Sequence, residues 1–141
     1  MNTLLEIKDL LLLKDREPLL NIPHFHLQAG EVVGIMGPSG SGKSLLMKTL
    51  GLLNPPTQGS IRLFGEEVTS RPSQLVAWRR RIALVFQEPL LFDASVGDNV
   101  ALGLKLRRIP RNLIREKVKE YLSLLGIGSL AHRHPQSLSA P

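Results

Sequence analysis

The sequence has no cysteine. Disulfide scaffolds, cysteine-ligated zinc ribbons and thiol catalysis are therefore excluded together. It has few aromatic residues, 4 % in all, and the single Trp78 and single Tyr121 read as core or interface residues rather than platforms for stacking bases. No stretch approaches the roughly 18 uncharged apolar residues of a transmembrane helix. Glu6, Lys8 and Asp9 interrupt the first apolar run, which breaks any signal-peptide core and predicts a cytosolic protein. What is present is ordinary for a soluble globular chain. Its 141 residues are 43 % hydrophobic and 21 % charged, enough for a real core and for one domain at most.

Charge is the first asymmetry. Lys and Arg number 18 against 12 Asp and Glu, a net +6. Arg79, Arg80 and Arg81 form one cluster, and the stretch from Lys105 to Lys119 is the other concentration of basic residues. Such an excess suits a polyanionic ligand, an anionic membrane surface or nucleic acid, with a solvated basic face as its ordinary account.

The pattern along the chain alternates strand and helix signals. Leu4 to Leu13 reads as a strand, with Leu5 and Ile7 alternating against Glu6 and Lys8, and Leu10 to Leu13 open to burial on both faces. A charged turn over 14–18 leads to Ile22–Leu27, a weak strand that pairs with the first. Glu31–Met36 reads as a buried strand ending in a glycine-rich loop. Lys43–Leu52 has Leu45, Leu46, Leu50 and Leu53 at helical spacing and is stopped by Asn54-Pro55-Pro56. Ser60–Phe64 is a short strand, Pro72–Arg80 one or two helical turns, and Ile82–Phe86 a second buried strand. Asp93–Leu106 and Arg111–Leu125 read as helices, the latter with an apolar stripe of Leu113, Ile114, Val118, Tyr121, Leu122 and Leu125. His132 and His134 are spaced to share a metal, but no carboxylate or cysteine supports them.

The glycine-rich loop carries the chemistry. Gly37-Pro38-Ser39-Gly40-Ser41-Gly42-Lys43-Ser44 fits G-x-x-x-x-G-K-[ST], between an expected strand and an expected helix. Glycines let the backbone curl so that successive N–H groups make an anion nest. The following helix adds about half a positive charge at its N-terminus. In this arrangement Lys43 serves the β- and γ-phosphates of a nucleotide, and the Ser44 hydroxyl is placed for Mg²⁺. The loop alone does not separate ATPases, GTPases and nucleotide kinases.

The residues beyond the loop do. Val85-Phe86-Gln87-Glu88-Pro89-Leu90-Leu91-Phe92 follows the second buried strand. Together with Gly30–Ile35, Pro56–Ile61, Phe64-Gly65 and Ser95–Val100, it resembles the ATP-binding domain of ABC transporters along almost the whole chain. The resemblance implies an α/β fold: a RecA-like P-loop NTPase core with an N-terminal antiparallel β subdomain over 1–92, and an incomplete helical subdomain over 93–141. It implies ATP and Mg²⁺ as cofactors, bound through Gly37, Pro38, Ser39, Gly40, Ser41, Gly42, Lys43, Ser44 and Leu45. Gln87 is then the Q-loop glutamine that contacts Mg²⁺ and the attacking water, a task suited to an amide that both donates and accepts. The implied partners are transmembrane permease subunits, met through the Q-loop region, and a second ATP-binding subunit. The implied location is the cytoplasmic face of a membrane, with the importer type, in which this domain is a separate chain, as the expected class.

The sequence departs from the family in three places. The family's adenine-stacking aromatic falls here at about Leu13 or Lys14, with Arg16 as a weak substitute. Leu45 stands where the family commonly has Thr. After Pro135-Gln136-Ser137-Leu138-Ser139 the chain reads Ala140-Pro141, where the family continues into its signature glycines. The signature, the Walker B carboxylates and the switch histidine are not matched. The expectation is therefore the N-terminal part of the domain, with nucleotide affinity, no useful turnover alone, and an exposed sheet edge at Glu31–Met36 where neighbouring strands are wanting. The competing functions are a non-transport P-loop ATPase acting on nucleic acid, which the +6 charge permits but the Q-loop disfavours, and a non-catalytic remnant.

Overall fold

A computed structural model of the chain describes residues 3–69, 71–88 and 90–138. The chain divides into two compact units, Met1–Val85 and Phe86–Pro141, taken in turn.

The first unit is built on a long hairpin. β1 (Thr3–Lys14) and β2 (Glu17–Gln28) pair antiparallel along their length, and both exceed the sequence expectation by one to several residues at each end. β3 (Gln58–Leu63) pairs with the other side of β1, and β4 (Glu66–Glu67) closes the sheet in the order β2-β1-β3-β4. β1 is thus central, and its inward side chains Leu5, Ile7 and Leu10 are buried. The spacing from 7 to 10 breaks strict alternation because Asp9 has φ 48°, and the β1–β3 register shifts between Lys8 and Leu11. This bulge inserts one residue and returns Leu10 to the core face. Gly59 sits opposite it with φ 82°; a Cβ there would lie 2.2 Å from the Asp9 carbonyl oxygen, so the close approach of β3 to the bulge requires glycine.

Two helices cover this sheet. α1 (Lys43–Leu50) presents Leu45, Leu46 and Leu50, and α2 (Pro72–Arg79) presents Leu75 and Trp78, to the cluster of Leu5, Ile7, Leu10, Leu20, Leu52, Ile61 and Leu63. Burying an aliphatic side chain of this size contributes about 1.5–3 kcal/mol. Arg81, although exposed, is held against two aromatic rings. Its guanidinium carbon lies 3.9 Å from the Phe64 ring centroid and 5.1 Å from that of Trp78, whose rings are nearly parallel. Arg79 is likewise engaged, as described below.

Two expected strands form no ladder. Glu31–Met36 and Ile82–Phe86 are not assigned to any sheet among the described residues. Val32 is 95 % exposed, Met36 93 % and Val85 93 %. Ile82 and Leu84 still alternate inward against exposed Ala83 and Val85, so the segment has a strand's periodicity without a partner. A strand is defined by hydrogen bonds to a neighbour, and none of the described residues supplies one.

In the second unit, α3 (Val96–Leu106) and α4 (Arg111–Leu124) pack on one another through buried Ala101, Ile114 and Leu122. The expected start of the first helix at Asp93 moves to Val96 because Ser95 caps it. The Ser95 Oγ accepts from the Asp98 N–H at 3.1 Å and donates to the Asp98 carboxylate at 2.9 Å. The N–H groups of Val96 and Gly97 donate to the carbonyls of Arg133 and Ala131, so the first turn leaves few orphan donors. Short 3₁₀ turns at Gly128–Leu130 and Pro135–Ser137 follow. Ser139, Ala140 and Pro141 lie outside the described residues, as does Pro89.

Candidate phosphate-binding site

The loop from Gly37 to Ser44 lies in the first unit and leads directly into α1. Gly40 and Gly42 have φ of 82° and 89°, while the serines beside them have negative φ. This alternation is the one in which successive N–H groups turn to one side and form an anion nest. The Ser41 N–H donates to the Pro38 carbonyl at 3.3 Å and tightens the turn. Gly42 is the N-cap of α1; a Cβ there would meet the Leu20 side chain at 3.0 Å. Its left-handed backbone favours glycine at this position, and the Leu20 side chain leaves little room for more.

The start of α1 is rich in donors. The first helical bond runs from the Leu46 N–H to the Gly42 carbonyl at 2.8 Å, so the N–H groups of Lys43, Ser44 and Leu45 have no acceptor inside the helix. No acidic side chain lies in the first turn and Gly42 offers no side-chain cap, which leaves the positive end of the helix dipole uncompensated. The Lys43 ammonium folds back over the loop. It donates to the carbonyls of Gly37 at 2.8 Å and Pro38 at 2.7 Å, with the Ser41 Oγ at 3.4 Å. The Ser44 side chain is exposed and Leu45 is half-buried against the core. Leu45 therefore serves packing, while its N–H remains with the loop donors.

The far end of α1 is anchored. Thr49 is fully buried and its hydroxyl donates to the Leu45 carbonyl at 3.0 Å. Leu52 adopts φ 59° as the chain leaves the helix. Its carbonyl accepts from the Arg79 Nε at 3.0 Å and Nη2 at 2.7 Å. This bidentate contact from α2 holds the C-terminal exit of the helix whose N-terminus forms the candidate phosphate site. Nothing in the sequence around Arg79-Arg80-Arg81 distinguishes this role from surface charge; only the fold brings Arg79 to Leu52.

The donor set fits a polyphosphate. It comprises backbone N–H groups, a helix N-terminus, one ammonium and one hydroxyl, with no carboxylate among them. No group of three or more His, Cys, Asp or Glu capable of holding a metal exists among the described residues. Any Mg²⁺ here would depend on phosphate oxygens together with a hydroxyl such as that of Ser44.

Other residues singled out by sequence fall elsewhere. Gln87 belongs to the second unit and is exposed. Just downstream, the Asn99 side chain accepts from the Phe92 N–H at 2.8 Å and donates to the carbonyls of Phe92, Ala94 and Ser95 at 3.0 Å each, so it shapes the chain that follows Gln87. At the expected adenine position, the Leu13 N–H donates to the Thr57 hydroxyl at 3.0 Å, Lys14 is exposed, and Arg16 lies in the β1–β2 turn with φ 71°. His134 lies 3.5 Å from the Asp93 carboxylate, while His132 is exposed. The Asp98 carboxyl is held below its ordinary pKa, first by the hydrogen bond from Lys105 and then by that from Ser95. The Glu6 carboxyl is lowered in the same sense, first by Lys8.

Residues 20–140 match the sequence profile of the ABC transporter family. The methionine import ATP-binding protein MetN of Escherichia coli O157:H7 is 41 % identical over 122 residues, covering 85 % of this chain and 36 % of that protein. MetN 1 of Salmonella choleraesuis is 40 % identical over the same length. The chain thus spans about a third of the length of these relatives. Among solved structures, cbiO1 of Clostridium perfringens, part of the ABC transporter complex cbiONQ, superposes with a TM-score of 0.85 at 27 % identity, over 99 % of this chain and 57 % of that one. The ATP-binding cassette MJ0796, in a dimeric post-hydrolysis state bound to ADP and Pi, gives the same TM-score and identity over 96 % of this chain and 63 % of that one. With the family profile covering most of its length and an α/β architecture shared with these ATP-binding subunits, the chain belongs to the ABC transporter family of ATP-binding domains.

Proposed function

We propose that this chain is the nucleotide-holding part of the energy-coupling subunit of an importer-type ABC transporter. The observation that carries the reading is the loop of Gly37–Ser44 ending in a helix whose first N–H groups lack acceptors, with the Lys43 ammonium lying over it. ATP is the ligand. Its β- and γ-phosphates take the N–H groups of Gly40 to Leu45, and Lys43 exchanges its carbonyl partners for phosphate oxygens. The Ser44 hydroxyl is the loop's own contact to the accompanying Mg²⁺. The importer class rests on the likeness to MetN. The permease subunit is met through the region around Gln87, and a second ATP-binding subunit completes the assembly at the cytoplasmic face of the membrane.

Mg²⁺-dependent ATP binding to the full chain, followed by calorimetry, tests this. Saturable binding is expected, weakened by Lys43→Ala and by EDTA. Lys43→Ala removes a charge-assisted contact worth about 1.5–3 kcal/mol, so affinity falls on the order of tenfold to a hundredfold. Binding unchanged in Lys43→Ala, or absent from a folded parent chain, overturns the reading.

A further inference from the structure

The second unit carries a set of cations that the nucleotide site does not use. α3 ends at Leu106, which is 66 % exposed, and the turn that follows contains Arg108, with φ 58°. Arg111, Arg115 and Lys119 follow at intervals of four along α4, which puts them on one side of the helix over about 12 Å. All are exposed. Lys105 and Arg107 have partners close by, the Asp98 carboxylate and the Gly103 carbonyl. By contrast, Arg108, Arg111, Arg115 and Lys119 make no side-chain hydrogen bond or ion pair among the described residues. Glu116 and Glu120 lie on the same helix but form no ion pair with them. Three cations on one side of α4, with Arg108 and the exposed Leu106 in the chain just before that helix, make a basic surface with an apolar residue at its start.

We propose that the α3–α4 turn and the Arg111–Arg115–Lys119 row form a docking surface for an anionic lipid bilayer. Charge complementarity to lipid phosphates selects the partner's sign. Leu106 selects a bilayer over nucleic acid, because an apolar side chain among cations gains from the acyl boundary and nothing from a phosphodiester backbone. No aromatic residue occurs between 103 and 119, so the stacking that single-stranded nucleic acid uses is not available here. The surface lies in a different unit from the phosphate loop, so its test is independent of nucleotide binding.

The test is flotation of the full chain with vesicles, which excludes aggregated protein from the readout. The chain is expected to float with an equal mixture of phosphatidylglycerol and phosphatidylcholine, to stay behind with phosphatidylcholine alone, and to be released by high salt. Each cation removed is expected to weaken binding about fivefold. The triple variant Arg108→Ser, Arg111→Ser, Arg115→Ser then loses on the order of a hundredfold, while the corresponding Arg→Lys triple, which keeps the charge, retains most of the binding. Leu106→Ser is expected to weaken it severalfold. Equal flotation with both vesicle types overturns the proposal, as does unchanged binding by the serine triple. Displacement from the vesicles by a DNA duplex at lower concentration than soluble phosphatidylglycerol overturns it in favour of nucleic acid.

Discussion

Ile7 in β1 is fully buried, whereas Val32, at a comparable place in an equally apolar segment, is 95 % exposed. The two segments differ in where their neighbours come from. β1 finds β2 after a two-residue turn and β3 across a closed antiparallel register, Ile7 facing Phe25 on one side and Ile61 on the other. Glu31–Met36 has its loop and α1 after it but no strand beside it among the described residues. Ile82–Val85 is intermediate: Ile82 packs on the core and Leu84 lies close to Gly51, yet the backbone is unpaired. Antiparallel sheets close with short hairpins, but parallel strands need crossover connections and partners distant in the chain. Apolar periodicity therefore marks both kinds of strand, and only the ladder decides which is buried.

Truncation of buried and exposed apolar residues should break this comparison most sharply. Ile7→Ala leaves a cavity at the centre of the sheet and is expected to cost about 2–5 kcal/mol. Val32→Ala removes a side chain that touches little and is expected to stay within about 0.5 kcal/mol. Urea unfolding followed by Trp78 fluorescence reports both, since Trp78 packs on the same cluster as Ile7. A large loss in Val32→Ala would show that 31–36 has a partner in solution. Hydrogen exchange sharpens the contrast without mutation. The amides of β1 should exchange only through wide opening of the sheet, and those of Val32 to Met36 near the unprotected rate.

Much of this was legible in advance. The β1–β2 pairing and both helices of the second unit follow the local pattern, with β2 starting five residues earlier than expected, because each depends on contacts within a short stretch of chain. The Gly37–Ser44 loop is legible for a further reason: Gly40 and Gly42 in left-handed conformation leave a direct trace in the residue type. The helix start at Ser95 was also readable, since Ser95 and Asp98 have capping-box spacing, although apolar periodicity alone pointed to Asp93. What escaped the sequence is non-local. Arg79 and Arg81 read as surface charge, yet one binds the Leu52 carbonyl and the other packs on Phe64 and Trp78. No spacing rule joins positions 79 and 52. The ladder at Glu31–Met36 failed for the same reason, as the apolar run is present and its partner is not local.

Arg79 provides the next prediction, because it separates non-local support from local capping. Arg79→Ala leaves the Leu52 carbonyl without its two donors and is expected to cost about 1–3 kcal/mol. If Arg79 holds α1 in place, ATP affinity should fall along with stability, although residue 79 touches no part of the loop. Arg79→Lys restores one donor but not the fork and should recover only part of the loss. A stability loss with ATP affinity unchanged would confine the role of Arg79 to packing.

The smallest effect expected is at Asp98, and it tests the self-contained end of the comparison. Lys105 and Ser95 both stabilise the ionised carboxylate and hold its pKa below the ordinary aspartate value of 3.8. A lowered pKa in the folded state means that the contribution is fully present above the unfolded value and is lost as pH falls through the folded one. The start of α3 should therefore be intact at pH 5 and above and weaken as pH falls below 3.8. Asp98→Asn keeps the shape and removes the titration. Helicity of parent and variant, followed by circular dichroism in descending pH, should differ at neutral pH and converge in acid. Glu6, lowered by Lys8, titrates in a neighbouring window but is present in both proteins, so the difference curve isolates Asp98. Curves that stay parallel down to the lowest pH would mean that the Ser95 hydroxyl alone caps α3 and that the Lys105–Asp98 pair is no more than a surface contact, as exposed ion pairs commonly are.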